Sequence, residues 1–312
     1  MFKLILKRLL TLPFVIVSIT FITFAVGYAA PGDPVLAMLG GRTDPQAADR
    51  LRHAYGLDLP WQEQYLNYLT GLLQGDLGLS FRYQGRPVND ILGDGISVSI
   101  TLGCAALLLS LAVGIPIGLW AAFHQNSLGD RASMALMLML FSIPSFVLIA
   151  VLRWINYQLY LRGLPSLPVA GWGRPEHWVM PTLVLASASM GYIARLTRIS
   201  MLEVLKQDYV RTANAKGLLP RRINWVHAFR NAALPIITVI GPSIAFLVTG
   251  AFVVESLFSI PGIGYLSVQA IQQRDYPVIQ SSTVILALAV LFMNLVTDLL
   301  YSLIDPRVQV EG

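Results

Sequence analysis

The distribution of charge limits this chain more than any other feature, because Asp, Glu, Lys and Arg are absent from long stretches, six of which are read as crossings. These are Leu9–Gly32, Gly95–Gly129, Ala132–Leu152, His177–Ala194, Asn231–Val254 and Tyr276–Thr297. A helix that crosses the roughly 30 Å hydrocarbon core of a bilayer needs about 20 apolar residues, so each stretch holds one crossing. Gly95–Gly129 is long enough to suggest two, but Gly95–Ser99 is polar and His124-Gln125-Asn126 follows the apolar part. The reading is six helices, near 9–30, 98–123, 133–157, 179–197, 233–257 and 279–303. Composition agrees: 55% of residues are hydrophobic and 12% charged, against roughly 25% charged in soluble domains. The expected fold class is an all-α polytopic membrane protein with six transmembrane helices.

The first stretch follows Lys3, Lys7 and Arg8 and ends in Ala29-Ala30, which also suits a signal peptide. Its apolar run exceeds the roughly 7–15 residues of such a signal, and Tyr28 is a poor residue three before the cut. A retained helix is expected. The net charge of +5 gives no support to a nucleic-acid partner. The single cysteine, Cys104, can form neither an intrachain disulfide nor a cysteine-based metal cluster.

Orientation follows from Lys and Arg, which accumulate on the cytoplasmic side. With the N-terminus inside, the inner segments carry Lys3, Lys7, Arg8, Arg131, Arg307 and the eight basic residues between Arg195 and Arg230. The outer side carries nine arginines, but five of them lie in the long segment Pro31–Gly95, and long loops contribute little to the bias. Both termini are expected in the cytoplasm. The domain reading is 1–95, a first transmembrane helix plus an extracytoplasmic segment, and 96–306, a five-helix core with a cytoplasmic loop over 195–233.

Two segments outside the membrane are large enough to act. In the outer one, the run after Pro60 puts Trp61, Tyr65, Tyr68, Leu69 and Leu72 on one helical face. That face suits either packing at headgroup depth or docking of an outside partner. In the inner one, eight basic residues accompany only Glu203 and Asp208. The fourth span is expected to run on to about Gln207. A short helix, Asp208–Lys216, then stops at Gly217, a left-handed cap position, with Pro220 beyond it. A second amphipathic helix, Arg221–Ala233, leads into Pro235 and the fifth span. A short helix held between two spans presents a rigid knob to a cytoplasmic partner.

The run DYVRTANAKGLLPRRINWVHAFRNAALP, Asp208–Pro235, resembles the cytoplasmic coupling loop of binding-protein-dependent ABC importer permeases. Further landmarks resemble the first membrane subunit of the oligopeptide and dipeptide branch. They are PGDP at Pro31–Pro34, YGLDLPWQEQY at Tyr55–Tyr65, GDLGLSF at Gly75–Phe81, VVESLFSIPGIGYL at Val253–Leu266, RDYPVIQ at Arg274–Gln280 and LYSLIDPRV at Leu300–Val308. Six ordered matches are specific where one would not be. Arg211 stands where the general loop has Glu, and the spacing from Gly217 to Pro235 is longer, both as in the peptide branch.

The resemblance implies a type I ABC importer permease fold. It also implies a complex of this chain with a second homologous permease, two cytoplasmic ATPases and an extracytoplasmic substrate-binding protein, embedded in membrane lipid of the cytoplasmic (inner) membrane. No G-x-x-x-x-G-K-[ST] phosphate loop occurs, so ATP and magnesium belong to the partners, and this chain carries no cofactor, metal or catalytic residue. The residues expected to couple ATP hydrolysis to transport are Asp208, Tyr209, Arg211, Thr212, Ala213, Ala215, Lys216, Gly217, Arg221 and Arg222. Tyr209 would anchor in a pocket on the ATPase, and Ala213 and Ala215 would allow close approach. The implied cargo is a di- or oligopeptide, with nickel, glutathione or another small solute as alternatives.

Within the spans, Pro116, Pro144 and Pro242 mark kinks or helix contacts. Glu255 and Asp298 are acids at membrane depth, where a functional or ion-pair role is the default expectation. Asp298 is expected to pair with Arg195 or Arg198, and Arg153 to form an interhelical ion pair or snorkel to the interface. Residue type argues against an intramembrane protease: His53, His124, His177 and His227 fall in loops or at span ends, and Asp298 has no acidic partner in the spans. A self-sufficient carrier or channel fits poorly because no charge relay crosses the spans.

Overall fold

In the computed structural model, residues 2–39, 44–83 and 85–304 are described, apart from the side chains of 2–9, 37, 242, 245–250, 298 and 300–304. The elements, in order, are α1 (Phe2–Ala29), α2 (Pro34–Met38), α3 (Pro45–Ala54), α4 (Trp61–Leu73), α5 (Val88–Phe123), α6 (Leu128–Ser142) and α7 (Ser145–Leu161). There follow α8 (Glu176–Leu205), α9 (Asp208–Ala215), α10 (Pro220–Arg222), a π-helical segment (Ile223–Phe229), α11 (Arg230–Phe258), α12 (Ile263–Gln273) and α13 (Tyr276–Ile304). Among the described residues α1, α5, α8 and α13 are long and apolar enough to cross a membrane. Two bent pairs, α6 with α7 and the end of α11 with α12, raise the number of spans to as many as six.

The third expected span, 133–157, is not one helix. Its two halves meet at a bend of 110°. Ile143 is extended at φ −74° and ψ 124°, and Pro144 starts the second half. A proline lacks the N–H that would continue the ladder and pushes its predecessor out of helical geometry. Pro116 sits inside the continuous α5, which begins about ten residues before the expected 98. The amphipathic helix expected over Arg221–Ala233 has no boundary before the fifth span: α10, the π-helical segment and α11 follow without a break, through Pro235.

The chain divides into two compact units. One comprises 1–100 with 259–291, the other 101–258 with 292–312. In the first, α4 lies on α1. Tyr65 packs on Phe21 and Phe24, and its hydroxyl donates to the Val17 carbonyl at 3.1 Å. Tyr65 of the aromatic face read from the sequence thus serves packing, while Trp61 on the same face is exposed. A core of Val88, Ile91, Leu92, Ala270 and Val278 joins the start of α5 to α12 and α13.

In the second unit α8 is the central element, with Ala186, Ser187, Ser189, Gly191 and Ala194 all buried. Small residues let neighbouring backbones approach, which drives helix association where lipid removes the hydrophobic contrast. A Cβ on Gly114 of α5 would press on the Met190 carbonyl, one on Gly118 on the Ala194 carbonyl and one on Gly191 on the Met137 carbonyl of α6. These glycines are contact points, and Pro116 lies between two of them.

Candidate coupling site

The inner loop of the second unit is built from local signals. Gln207 is extended, at φ −71° and ψ 148°, and turns the chain out of α8. Asp208 opens α9, where a negative charge suits the helix N-terminus. At the other end Gly217 has φ +73°. Its N–H donates to the Asn214 carbonyl at 2.9 Å, and the Leu218 N–H reaches the Ala213 carbonyl at 3.3 Å. This pair of bonds is the Schellman closure, and it needs a left-handed residue at the glycine position. Pro220 then begins the next helix, where its missing N–H costs nothing.

Two turns of helix do not hold themselves in water, so packing must hold α9. Val210 and Ala213 are buried with Ile223, and Val204, Leu205 and Leu218 pack against them. Val204 and Leu205 also touch a second cluster of Leu119, Ala122, Met201, Ala228 and Ala232. An unbroken apolar path therefore runs from α9 to α5, α8 and α11. The Asn231 side-chain amide adds a polar tie, donating to the Tyr209 hydroxyl and to the His227 carbonyl, both at 2.9 Å.

Of the coupling residues expected from sequence, Asp208, Tyr209, Arg211, Thr212, Ala215, Lys216, Gly217, Arg221 and Arg222 are exposed. Ala213 is not: it is 8% exposed and faces Ile223, so its small side chain serves inward packing. The loop also exposes Leu219, Trp225 and Val226, which the sequence reading passed over. With Tyr209 they add exposed apolar surface to a loop that also exposes Arg211, Lys216, Arg221 and Arg222. Their signal was the polar-apolar alternation of RRINWVHAF, in which Ile223 and Ala228 turn inward while Trp225 and Val226 turn out.

Arg198 grips Asp130 in a two-bond fork, Nε to Oδ1 and Nη2 to Oδ2, each 2.7 Å. Asp130 is 2% exposed and also accepts from the Asn126 N–H at 2.9 Å, while Ser127 caps α6 by accepting from the Asp130 N–H. The pair joins the start of α6 to α8. The serine-to-acid spacing at the start of α6 was a readable helix signal, but the arginine partner lies 68 positions away. The side chains of Asp298 and Pro242 lie outside the described residues.

Glu255 is fully buried in α11. Arg153 donates to the carbonyls of Val169, at 3.0 Å, and Leu257, and lies 5.0 Å over the Phe258 ring. A cation at the end of α11 meets carbonyls that lack helical partners, so Arg153 secures that helix end.

The geometry is that of a helical membrane protein whose inner loop presents a braced helix carrying an apolar and basic surface. The chain belongs to the family described as "binding-protein-dependent transport system inner membrane component": that family's model matches residues 114–310, and the model of its N-terminal region matches 1–97. It is 41% identical to the dipeptide transport system permease protein DppB of Bacillus subtilis (strain 168), over 100% of this chain and 99% of that one. Identity to DppB of Escherichia coli (strain K12) is 37% over 99% of each chain. The oligopeptide transport system permease protein OppB of Haemophilus influenzae is 38% identical over 99% of this chain and 100% of its own. Inward-facing structures of the MetNI methionine ABC transporter share the fold, with a TM-score of 0.58 at 16% identity, over 69% of this chain and 96% of theirs. The chain is a multi-pass membrane component of a transport system.

Proposed function

We propose that this chain is one of two pore-forming permease subunits in an ATP-driven importer of di- and oligopeptides, and that it works by alternating access. ATP and magnesium are held by two cytoplasmic ATPase subunits, and a binding protein delivers the cargo from outside. Both termini lie in the cytoplasm, which the excess of basic residues in the α8–α11 loop supports. The full-length likeness to dipeptide and oligopeptide permeases supports peptide as the cargo class.

The observation that carries this reading is the bracing of α9. Its exposed side offers Tyr209 and the basic residues to a partner, and its buried side is locked through Val210, Ala213 and Ile223 to the end of α8, whose Val204 and Leu205 pack in turn on the cluster that holds Ala232 of α11. A partner that closes on ATP and displaces α9 therefore moves the inner ends of two long helices as one body, the form a packed core imposes on a small shift.

The test is reconstitution of this chain with its second permease, ATPases and binding protein in liposomes. The expected result is uptake of labelled di- and tripeptides that requires both ATP and the binding protein. Uptake by this chain alone would make it a self-sufficient carrier. Uptake of nickel or glutathione with no uptake of peptide would replace the cargo.

A further inference from the structure

Four landmarks far apart in the sequence meet in the first unit. Residues of PGDP, YGLDLPWQEQY, GDLGLSF and RDYPVIQ, with the ends of α1 and α4, line a cavity of about 520 Å³. This falls within the roughly 300–1,000 Å³ of pockets that enclose small ligands. Nothing in the coupling mechanism uses it.

The walls are held from several directions. Asp275, 2% exposed, accepts from the Ser80 hydroxyl, from the Phe81 N–H at 3.0 Å and from the Arg82 N–H at 3.3 Å. The Phe81 ring stands edge-on to Tyr55 and Tyr276, with centroids 5.3 and 6.4 Å away. Gly32, at φ +114°, a conformation that L side chains rarely adopt, lies directly under the Arg274 guanidinium. Loops fixed this firmly, outside any helix core, are where binding residues are usually carried.

The lining mixes charge with aromatic surface. Asp33 and Arg52 form a 2.7 Å ion pair at the cavity, and each is partly open to solvent. Burial would raise the Asp33 pKa, but the Arg52 hydrogen bond and charge outweigh it and hold the carboxyl below its ordinary value. Gln64, Asn67 and Gln280 bring carboxamides, and the buried Tyr68 hydroxyl has no hydrogen-bond partner in the structure. An acyl chain would leave these polar groups unsatisfied, at a cost for every buried one. A ligand with a charge at each end and amide groups between would satisfy them.

Taking peptide as the cargo, as proposed above, we propose that this cavity binds a short zwitterionic peptide. Arg52 takes the carboxylate, Asp33 takes the ammonium, and the side chains lodge among Phe24, Tyr55, Phe81 and Tyr276. The two ends of the ligand replace the two partners of the Asp33–Arg52 pair, so charge balance is kept.

The experiment is photolabelling of the assembled complex in nanodiscs, without binding protein or ATP, using the dipeptide alanyl-benzoylphenylalanine. Label is expected within 24–35, 52–81 and 276–280. Alanyl-phenylalanine should compete, and its N-acetylated, C-amidated form should not. Asn67→Trp, at an exposed position on the wall, should cut labelling about tenfold by filling the cavity, and Arg52→Gln should do so by removing a charge-assisted bond. Label confined to other segments, equal competition by the blocked peptide, or displacement by dodecanoate but not by dipeptide would each overturn the site. ATP-driven uptake measured on the same complex separates the two readings. Uptake without label here ends this inference and leaves the transport reading intact, whereas label without peptide uptake ends the transport reading and leaves the site.

Discussion

Asn231, at the start of α11, donates one hydrogen bond to the Tyr209 hydroxyl and one to the His227 carbonyl, both at 2.9 Å. The contact bridges the exposed helix α9 and the long helix α11, and it leaves Tyr209 43% exposed for a partner. Asn231→Leu keeps the bulk and removes both bonds, each worth about 0.5–1.5 kcal/mol. The expected outcome is normal ATP binding by the complex and a severalfold fall in binding-protein-stimulated hydrolysis. Tyr209→Phe, which breaks only the bond to Tyr209, should show the smaller effect. Equal hydrolysis in all three complexes would contradict this role for the tie.

The Asp130–Arg198 fork makes a second prediction. Removing either partner strands the other in a poorly hydrated place, so Asp130→Asn and Arg198→Gln should each cost about 1–3 kcal/mol. The double variant should recover part of that loss, because the two effects share one interaction. Thermal unfolding of the purified complex measures all three. Strictly additive losses would show that the pair does not act as a unit.

Gly118 makes a third. Its missing side chain is what allows the Ala194 carbonyl and Thr197 of α8 to approach α5. Gly118→Leu should separate the helices and lower stability by about 1–3 kcal/mol, the usual range for overpacking. Gly103, whose Cβ position faces open space, is the matched control and should tolerate Leu.

Tyr68 makes a fourth, in pH. Burial pushes its pKa from the ordinary 10.0 up to about 12. The raised value favours the neutral form in the folded state. Its contribution is therefore present below pH 10.0 and lost as pH rises toward about 12, where the unfolded chain ionises first. Denaturation between these limits should be flatter in Tyr68→Phe. The same variant should lose no stability at neutral pH, since the hydroxyl is buried without a partner.

Much of the architecture was legible because lipid demands long uncharged helices and because charge marks their ends. The stop at Gly217 was legible too, since a left-handed cap followed by proline has few other meanings. Pro144 was legible as a kink or helix contact, but the 110° of the bend was not, because a count of uncharged residues is blind to direction. The Arg198 partner was missed for a different reason: Asp130 looks like an ordinary first-turn acid, and only the packing of α6 on α8 brings the guanidinium to it. Ala213 was assigned outward on size alone, whereas its spacing of three from Val210 puts both on the buried face. The outer landmarks identified a family but carried no hint that they share one cavity. Their meeting depends on Asp275 reaching back to Ser80.

The coupling claim rests most directly on Gly217. Its φ is +73° and no atom lies within 4 Å of where a Cβ would stand, so a substitution there acts through the backbone alone. Gly217→Val should cost roughly 1–2 kcal/mol in that conformation and tilt α9 out of register with its partner. Gly217→Asn, which tolerates the left-handed region, should be close to normal. The measurement is binding-protein-stimulated ATPase activity of the reconstituted complex, set beside peptide uptake. The account predicts that the valine complex assembles and binds ATP but loses stimulation and uptake together, while the asparagine complex keeps both. Normal stimulation in an assembled valine complex would contradict it.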